Sequence, residues 1–393
     1  MKLWDKGYNL NKKIEKFTVG NDFLLDQKLV KYDCEVSIAH AKMLCKIGVL
    51  TKHELKKAVK GLNEVIVLNS KSKFIITQEQ EDCHTAIENY LTKKYGNVGK
   101  KIHTGKSRND QVLAALLLWT KSELSAVKLL LNSLKRGIDA LIKKYGNVNL
   151  PGYTHMQKAM PTTVKNWFNS YISSIEDDIY MLGFAMNYID KSPLGSAAGF
   201  GVPIIKIDKK MTANLLGFKR TIEPPNYVQT MRAKFTSEIL NLLSQIMFSI
   251  NKMSTDLLTF SMDEFGYFKL PKEFCTGSSI MPNKKNPDVL ELLHAKYHIV
   301  LGNEFKVKSL IANLSSGYNR DMQLTKEPLF NSMEITKDCL EVMSLLISKL
   351  EVNKEKCEKA MISELYATEQ LYKLLKKGKS FREAYKDIAN NFK

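Results

Sequence analysis

Three stretches of the chain repeat apolar residues at intervals of three and four. One runs Val127, Leu130, Leu134, Ile138, Leu141. Another runs Val164, Phe168, Tyr171, Ile175, Ile179, Leu182, and a third Ile239, Leu243, Ile246, Ile250, Met253, Leu257. This spacing follows the 3.6-residue turn, so each stripe predicts one face of a long helix. No proline precedes Pro151, and later prolines bracket the segments Pro161 to Pro193, Pro225 to Pro271 and Pro287 to Pro328. No alternating run of useful length predicts strands. Long helices with one apolar face pack as a bundle, so the expected class is all-α. Residues 225–265 also carry Leu240, Leu242, Met247 and Leu258 off the stripe. A helix apolar on more than one side is central or lies at a subunit interface. A last helix is expected from Asn353 through Glu364, with one further short helix in the final KGKSFREAYKDIANNFK.

Composition narrows the class. The net charge of +18 comes from 59 Lys and Arg against 41 Asp and Glu, but only six of the basic residues are Arg. Lysines spread evenly along a chain do not make a base-reading surface, so no nucleic-acid partner is expected. No apolar run reaches the about 18 residues that span a bilayer. The start MKLWDKGYNLNKK has no signal-peptide core, so the expected location is cytoplasmic, with no membrane partner. Six scattered cysteines, none in a CxxC pair or beside a His at zinc spacing, predict neither a disulfide framework nor a metal site.

Polar residues cluster at the ends of the predicted helices. Ser107-Arg108-Asn109-Asp110-Gln111 lines up five hydrogen-bonding side chains before an apolar helix. An Arg and an Asn at a helix start suit a carboxylate, and plain capping by Asn109 or Asp110 would need only one of them. His155 follows a Gly-Tyr-Thr turn and precedes Gln157, a position open to solvent for an imidazole that titrates near neutrality. The segment 277–288, GSSIMPNKKNPD, carries the hydroxyls of Ser278 and Ser279, followed by Lys284, Lys285 and Asn286 bounded by Pro282 and Pro287. Such a loop can close over a substrate and set positive groups against developing negative charge. Loop 192–206 shares its Gly, Ser and Pro richness, and Tyr318-Asn319-Arg320-Asp321 with Gln323 and Lys326 forms one more polar cluster.

GSSIMPNKKNPD fits the signature GSSxMPxKxNP of the aspartase/fumarase superfamily. With HTGKSRNDQ, GYTHMQ, FTVGNDFLLD and YNRDMQLTKE in the same order, the chain most resembles its argininosuccinate lyase family, from about residue 14 onward. The resemblance implies three helical domains, 1–105, 106–351 and 352–393, the middle one a bundle of long helices. It implies a homotetramer with a twenty-helix core and active sites shared between three subunits. Catalytic roles then fall to Ser278, His155, Lys284 and Glu291, the last orienting the imidazole. Substrate contacts fall to Ser107, Arg108, Asn109, Thr154, Gln157, Asn286, Tyr318, Gln323, Lys326 and His84. The implied activity is cofactor-free elimination of fumarate from argininosuccinate to give arginine. Adenylosuccinate lyase-like and non-catalytic crystallin-like relatives are the alternatives. Which of Ser278 and His155 takes the proton stays open. The chain departs from the family at LWDKGY, at Cys275 and Met160, and in a short third domain.

Overall fold

The computed structural model describes residues 10–392; the LWDKGY segment at 3–8 lies outside them. Five long helices dominate the described chain: Arg108–Tyr145, Val164–Ile189, Pro225–Ser261, Asp288–Ile311 and Lys326–Lys349. The expected all-α class is correct. Among the described residues no helix is long and apolar enough to cross a membrane.

The stripes face inward, with one shift of register. Along Pro225–Ser261 all six stripe residues are buried. Along Arg108–Tyr145 the buried series is Val127, Leu131, Leu134, Ile138, Leu141, so Leu131 and not Leu130 holds the second position. Spacings of four, three, four and three keep that face straight on the helix; a Leu-Leu pair at 130–131 offers both registers to a sequence reader. Along Val164–Ile189, Ile179 is only half-buried and Asp178 takes the buried place beside it. Leu240, Leu242 and Met247 are already buried within one chain. The off-stripe apolar residues therefore mark a central helix, and do not by themselves require a subunit interface.

Two compact units divide the chain. One comprises Met1–Ala126, Met181–Leu243 and Val300–Glu334; the other comprises Val127–Tyr180, Ser244–Ile299 and Ile335–Lys393. In the first, Trp119 meets Phe330 edge-on with ring centres 4.4 Å apart, and Val36, Ala114 and Leu194 pack together. The second is built on an aromatic cluster. Trp167 stacks on Phe268 at 5.1 Å, and Phe260 lies 5.6 Å from both Tyr153 and Tyr267. The Tyr153 and Tyr267 hydroxyls hydrogen-bond at 2.8 Å.

Tyr153 belongs to a hairpin that the hydrophobic pattern does not announce. Strands Asn149–Thr154 and Gln157–Thr163 pair antiparallel, with an irregularity at Gly152/Tyr153. Pro151 and Pro161 sit opposite each other; a pair of prolines and a glycine hide a strand signal, because proline donates no ladder hydrogen bond. The helix expected over 353–364 is also corrected. It stops as Lys354–Lys359, a 3-10 turn follows at Ser363–Tyr366, and a separate helix, Ala367–Lys376, comes next. The final helix, Phe381–Asn390, is present and starts with a capping box between Ser380 and Glu383.

Candidate active site

The predicted site residues fall into the two units. Ser107, Arg108, Asn109, His84, Tyr318, Gln323 and Lys326 lie in the first; Thr154, His155, Gln157, Ser278, Lys284, Asn286 and Glu291 lie in the second.

In the first unit, helix Arg108–Tyr145 opens at a cap made by neither Asn109 nor Asp110 alone. Ser107 Oγ accepts from the Asn109 amide at 3.2 Å, and Asp110 Oδ1 accepts from the Ser107 amide at 2.9 Å. This reciprocal arrangement satisfies the helix start and leaves the Arg108 and Asn109 side chains free of capping. Asp110 Oδ2 also accepts the Gly195 and Ala197 amides at 3.2 and 2.8 Å, tying loop 192–206 to this end of the helix. Burial pushes the Asp110 carboxyl up to about 6, against the pull of those three amides.

A small pocket is lined by Asp22, Asp82, Arg108, Asn109, Arg232, Tyr318, Gln323 and Lys326, among others. Five of these residues were expected from the sequence. The Arg108 guanidinium contacts Asp82 at 3.0 Å and Glu81 at 3.3 Å. Lys326 is buried between Asp26, at 2.6 Å, and Asp22. Burial raises the Asp22 carboxyl to about 6, with Lys326 opposing. Gln323 Nε2 donates to the carbonyls of Thr18 and Val19 at 3.3 and 3.0 Å, and Arg320 to that of Thr18 at 2.8 Å. The YNRDMQLTK segment thus caps the carbonyl end of helix Lys12–Val19 and holds the GND turn that presents Asp22.

Arg232 was missed. It is only 8% exposed, lies 5.4 Å over the Tyr318 ring, and among the described residues its one hydrogen bond, to the Asn109 carbonyl, is long at 3.5 Å. Among the described residues it has no carboxylate partner within ion-pair distance. A buried guanidinium facing a pocket without such a partner is suited to an anionic ligand. The signal was its place, an Arg in a chain nearly all of whose basic residues are Lys.

In the second unit, His155 and Met156 form the two-residue tip of the hairpin. Both have positive φ, 51° and 60°, as a type I′ turn demands. Such a backbone is uncommon for these residue types, and it leaves the His155 side chain exposed at the tip. Thr154 and Gln157 flank it as the last ladder pair. The Gly-Tyr-Thr turn expected before His155 is thus the end of a strand, and His155 itself stands at the hairpin tip.

The signature loop is closed at its base. Thr276 and Asn286 exchange backbone hydrogen bonds at 3.0 and 2.8 Å, and Thr276 Oγ1 donates to Asp288. Inside, Ser278 Oγ accepts from the amides of Ile280 and Met281 at 3.3 and 3.1 Å, and Asn286 Nδ2 donates to the Gly277 carbonyl at 3.3 Å. Two amides aimed at a serine oxygen stabilise negative charge there. Lys284 is exposed on the same loop, and Glu291 stands exposed on the first turn of Asp288–Ile311. Among the described residues of one chain, no hydrogen bond or ion pair joins His155 to Glu291 or Ser278.

A mainly helical chain with this loop is of the fumarate-releasing lyase class. The family model described as Lyase matches residues 11–302. A curated argininosuccinate lyase of Thermotoga neapolitana is 46% identical, covering 100% of this chain and 98% of the relative. Another, of Bacteroides fragilis, is 38% identical over 98% of this chain and 86% of its own length. Among solved structures, class II fumarase from Schistosoma mansoni shares the fold, with a TM-score of 0.81 at 18% identity, covering 95% of this chain and 91% of that one. The chain belongs to the argininosuccinate lyase family of the aspartase/fumarase superfamily.

Proposed function

We propose that the protein cleaves argininosuccinate into arginine and fumarate, serving arginine biosynthesis in the cytoplasm. The observation that carries the reading is 46% identity, end to end, with a curated argininosuccinate lyase. The substrate proton lies on a carbon beside a carboxylate. Removing it spreads charge into that carboxylate, and stabilising the doubly charged aci-form is the hard step. Lys284, Asn286 and the loop amides supply preorganised donors of the kind worth about 3–4 kcal/mol each. Ser278, its oxygen facing two amides and with Lys284 and Lys285 on its loop, serves as the base. His155, oriented by Glu291, protonates the departing guanidinium nitrogen. Proton abstraction and leaving-group protonation balance without a cofactor.

Arg108 and Asn109, with Ser107 and Thr154, hold the fumarate half. Tyr318, Gln323 and Lys326 shape the arginine side, and Arg232 adds a positive group to the same pocket. Gln157 flanks the site at the hairpin, and His84 adjoins His103, four residues before Ser107. Because His155 and Glu291 are not paired in one chain, we propose a homotetramer in which three subunits complete each site. Its three domains would be 1–105, 106–351 and 352–393. Phe248 and Phe305, on two of the long helices, are 47% and 74% exposed in the single chain, as subunit contacts between helices would require.

Purified protein incubated with argininosuccinate should release fumarate, read by its ultraviolet absorbance, and should ignore adenylosuccinate. Release from adenylosuccinate alone, or from neither, would overturn the reading.

A further inference from the structure

We propose that His84, Glu88 and His103 bind one divalent transition-metal ion of the zinc or cobalt class. The three ligand atoms converge: His84 Nε2 lies 3.1 Å from His103 Nδ1, Glu88 Oε2 lies 3.3 Å from His103 Nδ1, and 3.9 Å separates Glu88 Oε2 from His84 Nε2. Metal–ligand bonds of about 2.0–2.2 Å at tetrahedral angles put neighbouring ligand atoms roughly 3.3 Å apart, so little movement separates this triangle from a coordination face. His84 and Glu88 stand one turn apart on helix Cys83–Tyr95 and share a face. Glu88 Oε2 is buried and makes no hydrogen bond among the described residues, although two imidazole nitrogens lie within 4 Å of it.

The surroundings match the pattern of a held ligand. His84 Nδ1 faces the carboxylate of Asp33 at 3.8 Å, and a carboxylate behind a histidine turns its other nitrogen toward an ion. The neighbouring cation, Lys106, donates to Ser37 Oγ at 3.3 Å and Gln111 Oε1 at 3.1 Å. His40 is engaged with the Thr104 carbonyl at 2.8 Å. Two carboxylates, Asp33 and Glu88, face this cluster against the single ammonium of Lys106. His103 is 39% exposed, which gives an ion a way in and water a place as fourth ligand. Two imidazoles and one carboxylate suit zinc, cobalt or nickel better than magnesium or calcium. An ion here would tie the turn at His103 to helix Cys83–Tyr95, four residues before Ser107. The site escapes a sequence reading because its third ligand comes fifteen residues after the second.

Full-length protein, freed of metal with a chelator, should take up one Co2+ per chain, seen as visible d–d absorption that Zn2+ abolishes. Glu88→Gln and His103→Asn should each weaken binding by at least about tenfold, with metal-free thermal midpoints as the folding control. His294 and His298 form another one-turn pair, on helix Asp288–Ile311; His294→Gln should leave binding unchanged. The proposal is overturned if Co2+ binding survives both substitutions or follows His294. Should the variants not fold, paramagnetically shifted protons assigned to the imidazoles of His84 and His103 are expected in the wild-type Co2+ protein, and shifted protons from any other histidine, or from none, overturn it.

Discussion

Single residues here carry charges into places where water would normally hold them. Lys326 is the clearest case, buried between Asp22 and Asp26. Lys326→Met keeps the volume but leaves the buried Asp26 and the half-buried Asp22 carboxylates unanswered. It should cost about 3–5 kcal/mol of stability, seen as a fall in the thermal midpoint of substrate-free protein. An unchanged midpoint would mean that Lys326 serves only the ligand. Asp178 gives a pH signature. Burial, and Asp177 beside it, push its carboxyl up to about 6 against the pull of the Ser249 hydroxyl at 2.8 Å. A raised folded value means that this group's contribution is whole below its ordinary value of 3.8 and is lost as pH rises through about 6. Asp178→Asn should therefore stabilise the protein by about 1–3 kcal/mol at pH 8. The advantage should vanish near pH 4, and thermal midpoints across that range test it.

The long helices were legible because each buries one continuous stripe, and a stripe repeats in sequence. The hairpin was not, because its strands are held by Tyr153 in an aromatic cluster, by backbone pairing around two prolines, and by Lys158 donating to the Ala360 carbonyl at 2.9 Å. None of these repeats with period two. The site shows the same division. Motif residues such as Ser107 and Gln323 could be picked out by type, yet their structural use as a helix cap and as a carbonyl cap depends on partners far off in sequence. Arg232 and His103 belong to sites that only folding assembles. The hairpin tip yields its own prediction. Met156 holds φ at 60°, a cost of about 1 kcal/mol or more for a residue with a Cβ. Met156→Gly removes that cost while adding unfolded-chain entropy. Its thermal midpoint should be equal to or slightly above wild type, and its turnover should fall as the imidazole loses its fixed presentation. A midpoint several degrees lower would contradict the strained turn.

At the scale of the molecule, the question is whether one chain can work alone. His155 sits exposed at a hairpin tip and Glu291 exposed on a helix, unpaired with each other. Their partners must come either from closure of the same chain or from neighbouring subunits. The two cases separate by mixing. Ser278→Ala and His155→Asn should each be inactive alone. Both should retain a mass near four times 44.8 kDa by light scattering. Dissociated and reassembled together at equal amounts, they should form mixed tetramers if the proposed assembly holds. A site that takes Ser278 from one subunit and His155 from another draws each intact with a chance of one half, so about a quarter of the sites are whole. Fumarate release should then recover to roughly a quarter of the wild-type rate per chain. A site built within one chain can never be repaired this way, because every chain in the mixture carries a lesion. Recovery near zero in tetramers of proven mixed composition would therefore place Ser278 and His155 of each site on a single subunit.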